Sequence, residues 1–116
     1  MGKFAWRDWI APVAGIAAAG LCLIIVEAGA HAALSGDAVF ISAAAGLALG
    51  ALVGGALAIW IGRRAIQAWI VAGALAILSL VNVFSFPHPN WFVAAAGVAL
   101  ASGAWLATKI AAPRPA

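Results

Sequence analysis

The sequence predicts an all-α, polytopic membrane protein. It forms a single domain over residues 1–116, built from four antiparallel transmembrane helices at about 10–34, 38–61, 65–86 and 91–110 that are joined by short turns. Three observations lead there. Of the 116 residues, 67% are hydrophobic and only 8% are charged, whereas an ordinary soluble domain carries roughly a quarter charged residues. A chain this short cannot bury so much apolar surface with water as its solvent. The apolar residues fall into four runs, each close to or above the roughly 20 residues that a helix needs to cross a hydrocarbon core. Finally, the basic residues behind the net charge of +3 sit at the ends of those runs, as topology signals and headgroup contacts do.

The first run, residues 10–34, is apolar apart from Glu27 and His31. Its basic start and the "AGA" at 28–30 imitate a cleavable signal peptide. The apolar stretch exceeds a usual h-region, however, and Glu27 stands where the cleavage region would begin, so an uncleaved first helix is expected. Ser35-Gly36-Asp37 then supplies a glycine stop and an aspartate N-cap for the second run, 38–61. Gly62-Arg63-Arg64 closes that run with a second glycine stop and two positive charges. The third run, from about 65, ends in "SFPHPN" at 85–90, where Pro87 and Pro89 forbid a continuing helix. The fourth begins near Trp91 and fades at Lys109, before "APRPA". Turns this short force consecutive helices to be antiparallel neighbours.

With four spans, Lys3, Arg7, Arg63, Arg64, Lys109 and Arg114 all fall on one side of the membrane. The positive-inside rule places that side, with both termini, in the cytoplasm, which gives a bacterial inner (cytoplasmic) membrane location. Trp6, Trp9, Trp60, Trp69 and Trp105 form an inner aromatic belt, while Trp91 with Phe40, Phe84, Phe86 and Phe92 marks the outer one. Cys22 is the single cysteine, so no intramolecular disulfide is possible.

Gly46, Gly50 and Gly54 recur every four residues on one face of the second helix. Lipid provides no hydrophobic push between helices, and glycine permits the close backbone approach on which van der Waals association depends. This face is expected to meet another helix, from the same chain or from a neighbour in an oligomer. Gly15 with Ala19 and Gly97 with Ala101 are small-residue pairs that could answer it.

No enzyme signature is present. There is no Ser/His/Asp set, no Cys-x-x-Cys, no phosphate loop and no Glu-x-x-His pair, so neither a metal nor a cofactor is implied. No basic stripe interleaved with aromatics points to nucleic acid. What remains is a small set of polar residues in the outer half of the membrane. For a helix over about 10–32, Glu27 lies roughly 9 Å beyond the midplane, and Asn82 on the third helix comes out at nearly the same depth. His31 follows Glu27 by four residues on one face, and Ser79, Ser85 and His88 surround Asn82. A carboxylate inside a membrane costs up to about 2.5–3.5 kcal/mol at the centre and less near the interface. Glu27, His31, Asn82 and His88 are therefore the candidate binding or proton site, with a hydrogen-bonded clasp between helices as the structural alternative.

The order of Glu27…His31, "GALVGG" at 50–55 and "NVFSFPHPNWF" at 82–92 resembles a group of small, uncharacterised four-helix bacterial inner-membrane proteins. That resemblance implies the fold and brings no assigned activity. The expected function is a non-enzymatic membrane helix bundle, an accessory or structural subunit of a larger or homo-oligomeric assembly whose partners are lipid and protein. The alternative is a small proton- or cation-linked transporter or channel that uses Glu27.

Overall fold

The computed structural model describes residues 6–85 and 88–111, and within them the chain is all-helical. Its four helices are α1 (Trp6–Ala33), α2 (Asp37–Gly62), α3 (Ile66–Ser85) and α4 (Phe92–Ile110). Lys3, Phe86, Pro87 and Arg114, which carried sequence expectations, lie outside the described residues. Three stretches are long and apolar enough to cross a membrane, namely α1, Ala38–Gly62 of α2, and α4; α3 carries a shorter apolar stretch, Ile66–Asn82.

α1 begins at Trp6, ahead of the apolar run, and continues through Pro12. Proline has no N–H to offer the carbonyl four residues back, here that of Asp8. Asp8 itself sits in the first turn, where unpaired backbone N–H groups favour a negative charge. Two expected caps move by one residue. α2 starts at Asp37 and its N-cap is Gly36, whose φ of +62° and ψ of −142° lie in a positive-φ region that glycine adopts at little cost. At the other end of α2, Gly62 is the last helical residue and Arg63, at φ +60°, is the left-handed cap. Its N–H donates to the Ile59 carbonyl at 2.6 Å. Gly62 serves close approach instead: a Cβ there would lie 2.9 Å from Ala11 Cβ and 3.0 Å from Gln67 Cγ.

Glycine also reports the helix directions. Gly54, Gly50 and Gly46 lie against Gly15, Ala19 and Val26 of α1 respectively, so the two helices run in opposite directions along one seam. Gly103 of α4 abuts Ala48 and Ala51, and Ala107 abuts Gly55, so α4 runs parallel to α2. α3 meets α2 through Ala68 at Gly55 and through Gln67 at Gly62, antiparallel to it. α2 is thus the central helix, touching the other three. The seam glycines are occupied by α1 of the same chain.

The core is built largely from alanine. Ala11, Ala19, Ala51, Ala58, Ala68, Ala104 and Ala107 are fully buried, and Ile59, Val71 and Leu75 are the largest side chains enclosed. Such small residues let backbones approach closely enough for dispersion to act over the whole contact. The bundle is long and narrow, 48 × 24 × 19 Å. At the end that gathers the start of α1, the Arg63–Arg64 turn and the end of α4, Trp6, Trp9, Trp60, Trp69 and Trp105 are all exposed. There Arg7 lies 5.7 Å from the Trp6 ring and Lys109 lies 5.6 Å from that of Trp105. At the opposite end Phe92 meets Phe40 edge-on at 5.4 Å and Trp91 at 6.3 Å.

Candidate functional site

α1 and α3 touch deep in the bundle, where Gly15 lies against Val71. Toward the His88 end they diverge and leave a cavity of about 580 Å³ against α2. Helical periodicity assigns its walls. α1 contributes Leu23, Glu27, Ala30 and His31, spaced i, i+4, i+7 and i+8 on one face. α3 contributes Leu75, Leu78, Ser79 and Asn82 from a matching face. The back wall is Val39, Phe40, Ala43 and Leu47 of α2, and His88 with Phe92 closes the end. Leu47 and Leu75, 6% and 1% exposed, form the floor.

The structure therefore brings Glu27, His31, Asn82 and His88 to one cavity, together with Ser79. Glu27, His31 and Asn82 are exposed along the open side between α1 and α3, and His88 is half-buried. His88 stacks obliquely on Phe92 at 6.4 Å. Ser85, grouped with these residues from the sequence, donates its hydroxyl to the Val81 carbonyl at 2.8 Å, a return to its own helix. Gly46, Gly50 and Gly54 hold α1 to α2 and do not line the cavity. No group of three His, Cys, Asp or Glu side chains among the described residues is placed to hold a metal ion.

Electrostatically the wall is simple. Among the described residues, Glu27 is its one carboxylate, His31 and His88 are its two titratable rings, and neither Lys nor Arg lines it. Asn82 and Ser79 add hydrogen-bonding groups, while Phe40 and Phe92 add aromatic ones. Sequence reasoning had given those two phenylalanines to an interfacial belt. Their part in the wall follows from the turn that folds the start of α4 beside the start of α2.

A second polar cluster, at the opposite end, was not foreseen. Asp8 is 9% exposed and Gln67 3%. Arg64 Nε lies 3.7 Å from Asp8 Oδ1, and Gln67 Oε1 is buried without a hydrogen-bond partner among the described residues. A signal existed: Asp8, Ala11, Gly15 and Ala19 form one stripe of α1, and the small residues in it mark the inward face. No family model, curated protein or solved structure matches the chain.

Proposed function

We propose that the chain is a non-enzymatic integral membrane helix bundle acting as an accessory or structural subunit of a larger or homo-oligomeric membrane assembly. The observation that carries this reading is that the cavity goes no further. Beyond Leu75 the bundle is packed solid by Val71, Ile59, Ala58 and Ala68, each at most 1% exposed, so one copy offers no path from end to end. Glycine faces left open in the bundle fit the same reading. Gly20, Gly73 and Gly97 have no neighbouring atom within 4 Å of where a Cβ would stand. A helical glycine costs about 1 kcal/mol relative to alanine, and in a bilayer such a face suits the approach of another helix.

In this reading α3 is the fourth span, and Arg7, Arg63, Arg64 and Lys109 lie on the cytoplasmic side of a bacterial inner membrane. Kinship with the small four-helix bacterial proteins sharing its Glu…His and Pro-His-Pro features belongs to the same proposal. Cysteines introduced at Gly2 and Ala116 should resist an impermeant thiol reagent in intact cells, while one at Ser35 or Asn90 should react; the reverse pattern would overturn the orientation. The subunit role is tested by extracting native membranes without detergent and weighing the complexes. A mass above that of one chain, or a stoichiometric companion, is expected, and a lone monomer refutes it.

A second reading, proton- or cation-linked passage through Glu27, is favoured by the cavity and needs a second copy to complete the path. Vesicles containing the protein and a pH-sensitive dye would then leak, and Glu27→Gln would stop the leak while folding normally. Vesicles as tight as empty ones eliminate this reading.

A further inference from the structure

We propose that the cavity between α1 and α3 binds an amphipathic organic monocation, a molecule with an apolar body and one positive charge. Its volume of about 580 Å³ falls within the roughly 300–1,000 Å³ of sites that take small organic ligands. The inner part is apolar, with Leu23 on one wall and Leu47 and Leu75 as floor. The charge requirement comes from Glu27. Among the described residues it is the one carboxylate of the wall, its basic companions there are the His31 and His88 rings, and no Lys or Arg lines the wall. An anionic ligand would be repelled by that carboxylate, and a neutral one would gain no attraction from it. An organic cation instead places its charge at Glu27, with the Phe40 and Phe92 rings as further electron-rich neighbours. A bare metal ion is a poor fit, because no three ligating side chains converge among the described residues. Entry is lateral, since Glu27 and Asn82 are exposed on the side where α1 and α3 part.

This inference rests on neither the subunit role nor transport, because binding is read on the purified chain alone. The test uses two ions of the same shape and opposite charge, tetraphenylphosphonium and tetraphenylborate, in equilibrium dialysis against the full chain in mild detergent. Empty micelles correct for partitioning. Saturable binding of about one tetraphenylphosphonium per chain is expected, tighter than tetraphenylborate by at least about tenfold, which is 1.4 kcal/mol. Glu27 is exposed and glutamine has its shape, so Glu27→Gln should keep its helical content and bring the two ions to within about twofold. Ala43→Phe, which fills the cavity from α2, should remove saturable binding of both. The proposal is overturned if neither ion saturates in the wild type, if the borate binds as tightly as the phosphonium, or if Glu27→Gln keeps the preference.

Discussion

Replacing Gly15 by alanine adds one methyl group at the point where three helices meet. A Cβ at this position would lie 2.5 Å from the Gly54 carbonyl oxygen, 2.7 Å from Val71 Cγ2 and 3.0 Å from Ala58 Cβ. The first of these is backbone in the middle of α2 and cannot rotate away. To reach an ordinary contact of 3.4 Å, α1 and α2 must separate there by 3.4 − 2.5 = 0.9 Å. A gap of that size forfeits a quarter to a half of the dispersion well for each atom pair it opens. The loss spreads along the seam to Ala19 against Gly50 and Val26 against Gly46. Overpacking of this kind costs about 1–3 kcal/mol. Alanine also gains about 1 kcal/mol over glycine in helix propensity, and Gly29→Ala, also on α1, makes the same chemical change where nothing lies within 4 Å. The propensity gain is common to both, so the difference between the variants isolates packing, about 1–3 kcal/mol. Unfolding in mixed micelles titrated with a denaturing detergent, followed by far-UV circular dichroism, measures it. If Gly15→Ala is as stable as Gly29→Ala, α1 and α2 are not in close contact at this point.

Three further outcomes are expected. Gly36→Ala places a side chain at φ +62°, ψ −142°, a region almost confined to glycine, and should cost about 1–3 kcal/mol despite the open space around it; an unchanged stability in the same titration would show that the turn can take another conformation. Gln67→Met removes a buried acceptor with no hydrogen-bond partner among the described residues while keeping its length, and should raise stability by about 1 kcal/mol; a fall would reveal a partner for the amide. Arg64→Ala withdraws the cation 3.7 Å from buried Asp8 and should lower stability by roughly 1 kcal/mol or less, with a loss that shrinks in high salt if the attraction is electrostatic.

The helices could be read from the sequence because their signals are local. Apolar runs of spanning length, glycine and proline punctuation, and charges at the run ends need no knowledge of the partner. Where those signals compete, boundaries moved. Gly62 reads as a stop, but it stays helical with Ala11 and Gln67 close around it, and the left-handed conformation falls to Arg63. Glu27, His31 and Asn82 could be grouped by depth, because rise per residue turns numbering into height. The cavity between them could not, since it arises where α1 and α3 part. Asp8 and Gln67 were hidden because their burial depends on which faces of α1 and α3 turn toward α2.

The short apolar stretch of α3 bears on the membrane itself. Ile66–Asn82 is 17 residues, which at 1.5 Å each spans about 25 Å, a few ångström short of a hydrocarbon core of about 30 Å. If α3 crosses a bilayer beside three longer apolar companions, as proposed, it cannot correct the mismatch by moving alone, and the adjacent lipid would compress. The compression would fall beside Asn82 and Ser85, where the polar residues of α3 begin. In a bilayer spanned by this bundle, headgroups and water would dip toward the open side of the cavity. They would wet its mouth without any channel through the protein, and a thicker bilayer would draw that moist notch shut.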